Sequence, residues 1–147
     1  MQTYFGDIRD SYDSVTKLGF DALGLDFVEG EETLNLVKKG FPKDTILFAG
    51  VVKGKNIWRS DFSKVEELLK SLEATVAKEN IYVGTSCSLL HVPYTTANET
   101  KLDANILKHF SFAEQKIREI KEIADGDKND ELFKEERVKA DEKFRPR

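Results

Sequence analysis

Ile46-Leu47-Phe48-Ala49-Gly50-Val51-Val52 is a run of seven residues without one polar side chain. So continuous an apolar run, rich in β-branched residues, predicts a strand covered on both faces, either by helices or by closure into a barrel. Upstream, Ala22-Leu23-Gly24-Leu25-Asp26-Phe27-Val28 reads as a second strand of mostly buried type, and a helix over Glu31–Lys39 stops at Gly40. Downstream, Ser63 and Glu66 have capping-box spacing, and Val65, Leu68, Leu69, Leu72 and Val76 share one helical face. Ile81-Tyr82-Val83-Gly84 forms the next strand and runs into Thr85-Ser86-Cys87-Ser88, with Pro93 ending regular pairing. At the N-terminus Thr3-Tyr4-Phe5 is a short β-type stretch ending at Gly6-Asp7, followed by a weak helix from Ser11 to Leu18. Beyond Pro93, the steps between Ile106, Phe110, Ala113, Ile117, Ile120 and Ala124 alternate between four and three, predicting one long helix with these residues inward.

Strand–helix alternation repeated four times implies parallel strands and right-handed crossovers, an α/β fold. Ligands in such folds gather at the C-terminal ends of the strands. Here those ends are Gly6-Asp7, Asp26 to Glu29, Lys53 to Arg59 and Ser86 to His91. The chain has 147 residues, and 27 acids against 23 bases give a net charge of −4, which argues against a broadly basic nucleic-acid surface. It holds no apolar run long enough to cross a bilayer and no signal-peptide pattern, so a soluble, cytoplasmic protein is expected. One cysteine rules out an internal disulfide and a zinc site built from several thiolates of this chain. From Asp125 to Arg147, 15 of 23 residues are charged, which reads as a solvated tail or linker.

Several motifs have a functional and a plainer reading. Gly50 to Asn56 resembles a phosphate loop, but only three residues separate its glycines and asparagine follows the lysine where a Ser or Thr should hold magnesium. Lys53, Lys55 and Arg59 remain as groups able to attract an anion, or as a solvated turn. Cys87 with His91 suggests a thiol nucleophile. The offset of four residues does not ensure contact and no third orienting residue is evident, which favours a structural thiol. His109, beside Lys108, is expected on a helix surface. Asp7 and Asp26, at adjacent strand ends, suit either acid–base work as a carboxylate pair or helix capping. Trp58, the only tryptophan, suits either ligand stacking or plugging a core end.

Taken together, Tyr4-Phe5-Gly6-Asp7, Gly24-Leu25-Asp26, Ala49-Gly50-Val51-Val52, Gly54-Lys55-Asn56-Ile57-Trp58-Arg59, Ser86-Cys87-Ser88-Leu89-Leu90-His91-Val92-Pro93 and Phe112-Ala113-Glu114-Gln115-Lys116 resemble the N-terminal domain of cobalamin-independent methionine synthase, from about Gln2 to Ile123. Lys53 and Lys55 depart from the acid and arginine of that pattern. The resemblance implies an enzyme that moves a methyl group from methyltetrahydrofolate polyglutamate to homocysteine through a zinc-bound thiolate. It implies two related (β/α)8 barrels, with zinc and homocysteine in the C-terminal one and a degenerate N-terminal copy helping to hold the folate tail. Such a barrel needs eight strands and about 250 residues. Residues 1–124 are therefore expected to be a partial (β/α)8 TIM barrel of about four βα units, the second half of that N-terminal domain, and 125–147 its charged linker or tail.

By the same resemblance, the strand ends matching the family's zinc ligands carry Thr3, Phe5, Asp26 and Cys87, a broken set, since three or four strong ligands are needed. Zinc is expected in the full-length enzyme and no cofactor in this chain alone. The expected substrate-binding residues are Asp7, Asp26, Lys53, Asn56, Ser88 and His91, with no catalytic or metal residue. The expected function is a methionine synthase fragment, inactive by itself, with methyltetrahydrofolate polyglutamate as the family's partner molecule. The alternative is an autonomous dimer of half-barrels binding anionic small molecules at Lys53, Lys55 and His91. A separately encoded partner supplying the missing halves is a third reading; neither nucleic acid nor membrane is expected as a partner.

Overall fold

The computed structural model describes residues 1–129 and 131–133. Three strands, β1 (Ala22–Asp26), β2 (Ile46–Val52) and β3 (Ile81–Thr85), form a parallel sheet in that order. Helix α1 (Tyr12–Thr16) precedes β1, α2 (Thr33–Lys39) joins β1 to β2, and α3 (Phe62–Leu72) joins β2 to β3. Beyond β3 come α4 (Ala104–Leu107) and α5 (Ala113–Asp125). The fold is α/β, with an architecture compatible with a partial βα barrel. Register runs Leu25–Ala49–Val83 across the strands, with an irregularity between Gly50 and Val52 where the β2–β3 pairing ends.

The core lies between the sheet and α2, α3 and α5, where Val37, Leu47, Ala49, Val52, Leu72 and Ile123 are buried. The other face is partly open: Phe48 and Tyr82, paired in register, are exposed with ring centroids 5.5 Å apart.

The N-terminal stretch makes a single parallel bridge, Gln2 to Gly24, in place of a full strand. Its backbone is hydrogen-bonded through Thr3 N–H to the Gly24 carbonyl at 2.9 Å, after which Phe5 (φ 65°) and Gly6 (φ 126°) turn the chain away. Two positive φ values in succession end the extended conformation that pairing needs. At α3 the cap is Asp61, whose carboxylate accepts from Lys64 N–H at 3.5 Å, instead of the expected Ser63–Glu66 box. Glu66 pairs with Lys70 and Lys128, and these hydrogen bonds hold its carboxyl down at about 2.

The long helix expected across 106–124 is divided. After the helical cap at Lys108 the chain leaves the helix to make an antiparallel bridge between Phe110 and Trp58, and α5 begins only after Phe112. Its inward face follows: Phe112, Lys116, Glu119 and Ile123 are buried, whereas Ile106 and Ile117 are exposed. His109 sits in this divided region, and its carbonyl accepts from Arg59 N–H at 2.8 Å. Helix α5 ends at Gly126 (φ 79°), with Gly126 and Asp127 N–H groups returning to Ile123 and Glu122 carbonyls. Most of the expected charged tail lies outside the described residues.

Ile117→Ser, at a position 59% exposed, should change stability by no more than about 0.5 kcal/mol. Ile123→Ala, at 9% exposed, should cost about 2–4 kcal/mol. Urea unfolding of the two variants would reverse this order if the helix were continuous with Ile117 inward.

Candidate functional site

Three loops meet beyond the C-terminal ends of the strands, and Asp26 at the end of β1 organises two of them. This residue is 1% exposed. Its Oδ2 accepts from Gly6 N–H at 3.1 Å, and its Oδ1 from Val28 and Glu29 N–H at 2.8 and 3.0 Å. The N-terminal turn and the loop after β1 are thereby tied to one carboxylate.

The loop after β2 lies against the loop after β3. Gly54 N–H donates to Ser86 Oγ at 3.2 Å, and a Cβ on Gly54 would stand 2.8 Å from both the carbonyl oxygen and Sγ of Cys87. Only glycine permits that approach. Asn56 Oδ1 accepts from Trp58 N–H at 3.1 Å, closing an Asx turn, and Ser88 Oγ accepts from Leu90 N–H at 3.3 Å to start a 3-10 turn over Leu89–His91.

These backbones bring Phe5, Glu29, Lys55 and His91 into one cluster. Lys55 Nζ donates to Glu29 Oε2 at 3.0 Å and stands 5.3 Å from the centre of the Phe5 ring. The exposed His91 ring meets Phe5 nearly edge-on, 5.7 Å away at 77°. An ammonium group, an imidazole and an aromatic face at a solvent-open rim can receive an anion with an apolar neighbour.

Of the residues expected to bind substrate, His91 is in this cluster. Lys53 lies partly buried at the start of the loop that carries Lys55. Asn56 and Ser88 hold their own turns. Asp7 forms a two-pronged bond with Arg9 (2.6 and 2.7 Å) and accepts from Glu32 N–H at 3.4 Å; the guanidinium bond holds its carboxyl well below the usual range. Asp7 and Asp26 thus serve different donors. Cys87 is buried, its Sγ donating to the Ser88 carbonyl at 3.6 Å, and burial pushes the thiol up.

A second group, unforeseen from sequence, supports the rim from below. The buried Lys116 Nζ donates to the Trp58 carbonyl at 3.0 Å, and the buried Glu119 Oε2 accepts from Ser60 N–H at 3.1 Å. Ser111 N–H donates to the Ile57 carbonyl at 2.7 Å. Trp58 itself is exposed and packs edge-on against Phe110 at 5.2 Å. Burial pulls the Lys116 ammonium below the usual lysine range, against the opposing pull of Glu119. Lys116 stands four residues after Phe112 and four before Ile120, but the apolar series through Ile117 pointed to a different face and gave no signal for it.

The strand-end donors do not fit zinc. Thr3 Oγ1 donates to the Gly24 carbonyl, Phe5 offers only a ring, Asp26 is saturated by backbone N–H groups, and the Cys87 thiol is held protonated by burial. Among the described residues no group of three or more His, Cys, Asp or Glu side chains is placed to hold a metal ion.

Residues 1–77, just over half of the chain, match the family described as the cobalamin-independent synthase, N-terminal domain. The chain belongs to this family. Among synthase relatives it is 53% identical over 155 aligned residues to a 5-methyltetrahydropteroyltriglutamate–homocysteine methyltransferase of Lactococcus lactis subsp. lactis (strain IL1403), covering 99% of this chain and 20% of the relative. Proteins of the same name from Campylobacter jejuni (strain RM1221) and Streptococcus gordonii are each 49% identical, covering all of this chain and 21% and 20% of the relatives. The chain thus spans about one fifth of the length of the curated relatives it matches.

Two measurements check this geometry. Cys87, buried and protonated, should react with a disulfide reagent only as the chain unfolds, so labelling and urea unfolding should share a midpoint. For Lys116 the folded-state pKa lies below the unfolded one. Between those two values the unfolded chain holds more protons, so stability should rise with pH. The stability of the wild type relative to Lys116→Met should therefore climb as pH rises towards about 10.4, and a pH-independent difference would contradict it.

Proposed function

We propose that this chain is a segment of a cobalamin-independent methionine synthase, in which its rim helps to hold the polyglutamate tail of the methyl donor. The observation that carries this reading is the near-complete coverage of the chain at about half identity by proteins named for methyl transfer between 5-methyltetrahydropteroyltriglutamate and homocysteine. The Phe5–Lys55–His91 cluster supports it, since a triglutamate presents several carboxylates on a flexible chain and the rim presents cationic and hydrogen-bonding groups.

In this reading Lys53 and His91 meet carboxylates, joined by Lys55. Asp7, Asp26, Asn56 and Ser88 act by shaping the backbone around them. Residues 1–124 form the barrel portion, 125–147 a charged linker, and the whole works in the cytoplasm; no described helix is long and apolar enough to cross a membrane. We place the family's zinc and homocysteine chemistry outside this chain, whose own strand-end donors are committed to other bonds. The chain alone therefore carries no turnover.

A second reading rests on the open sheet face. Phe48 and Tyr82 are apolar surface that a second copy would cover, giving a half-barrel dimer that binds anions. Sedimentation as a monomer at micromolar concentration would exclude it.

Assayed alone with homocysteine and the methylfolate, the chain should form no methionine. It should bind γ-linked triglutamate in a calorimeter, and Lys55→Met should abolish the heat. Glu29→Gln removes the internal carboxylate that competes for Lys55 and should tighten binding about two- to fivefold. Unchanged affinity in both variants would remove Lys55 from the site.

A further inference from the structure

Phe5 is the only non-glycine residue with a positive φ among the described residues, at 65°. A bulky aromatic side chain rarely adopts that conformation, and it persists only where the surroundings impose it. Burial does not explain the choice, because Phe5 is 54% exposed. The turn is locked from behind, where the buried Asp26 carboxylate accepts from Gly6 N–H and Gly6 has a positive φ of its own.

What the conformation does achieve is placement of the ring. Lys55 Nζ stands over it at 5.3 Å, and His91 meets it edge-on at 5.7 Å. A lysine head on a flexible four-carbon stem loses rotamer freedom when it binds an anion. A ring that already attracts the ammonium removes part of that cost. Glu29 takes one N–H of Lys55 from the opposite loop and leaves two further donors on the same head.

We infer that Phe5 is a positioning residue of the rim anion site, held in a strained backbone conformation so that its ring fixes the Lys55 ammonium beside His91. The inference rests on the reading of the rim as an anion site and names the residue that sets its geometry. The strain is stored in the unliganded chain and favours function over stability. Glycine at this position would relax the backbone and lose the ring, whereas tyrosine would keep both strain and ring.

The test compares the full chain with Phe5→Gly and Phe5→Tyr. Phe5→Gly should unfold at a urea concentration no lower than the wild type. It should bind γ-linked triglutamate about five- to tenfold more weakly, while Phe5→Tyr binds as the wild type does. Without any ligand, the Lys55 ε-methylene proton resonance should be shifted upfield by the ring current in the wild type and in Phe5→Tyr, and return to the ordinary lysine position in Phe5→Gly. Wild-type affinity in Phe5→Gly, or an ordinary Lys55 resonance in the wild type, would overturn the role of Phe5. Absence of triglutamate binding by the wild type would sink the proposed function instead, and the Lys55 resonance would still decide whether Phe5 positions that side chain.

Discussion

The buried carboxylate of Asp26 is the constraint from which the rim follows. Enclosed almost completely, it accepts three backbone N–H groups from two segments that are not adjacent in sequence. Hydrogen bonds to a charged acceptor contribute about 1.5–3 kcal/mol each, and a buried donor left without its partner costs a comparable amount. Both neighbours of Lys55 hang from this one group. Gly6 N–H fixes the turn that carries Phe5, and Glu29 N–H fixes the residue whose side chain meets the ammonium. The strained φ of Phe5 is sustained because the surrounding bonds outweigh it.

Helix α5 supplies the opposing support. Lys116 and Glu119 reach from its inward face to the Trp58 carbonyl and the Ser60 N–H, so the loop after β2 rests on two buried, oppositely charged groups. Removing either side chain leaves a backbone group of that loop without its partner, at a cost of about 1–3 kcal/mol. The effect of the arrangement is specificity of placement. Lys116 Nζ and Glu119 Oε2 meet these backbone partners only with the loop in this position, which leaves Trp58 exposed at the surface.

The sheet presents a contrast between its faces. One is packed under α2, α3 and α5, while the other leaves Phe48 and Tyr82 exposed. Parallel sheets are ordinarily covered on both sides. A partly open parallel sheet is what a portion of a barrel would present, in keeping with a chain that spans about one fifth of its relatives.

Much of the fold was legible from period and punctuation. The three strands, α2 with its stop at Gly40, and the parallel order were all present in local apolar pattern, because the face of each strand packed under the helices requires apolar side chains, although the continuous run of β2 also put Phe48 on the open face. The stretch Ser86 to Pro93 carried the resemblance in the sequence, and at its start Ser86 and Cys87 meet the loop after β2 in a close approach at Gly54. Local periodicity is overridden where a tertiary bond outcompetes it. Phe110 left the helix to pair with Trp58, Asp61 took the cap that Ser63 and Glu66 had the spacing to make, and the apolar series through Ile106 and Ile117 gave way to a face containing Lys116 and Glu119. A buried charge is invisible to an apolar pattern because its partner here is a backbone group more than fifty residues away. By itself the sequence determined the α/β class, the strand cores and the rim on which polar residues would gather. Only the tertiary structure decided which of them meet, because Asp26, Lys116 and Glu119 act on backbone N–H and carbonyl groups, which all residue types but proline carry alike.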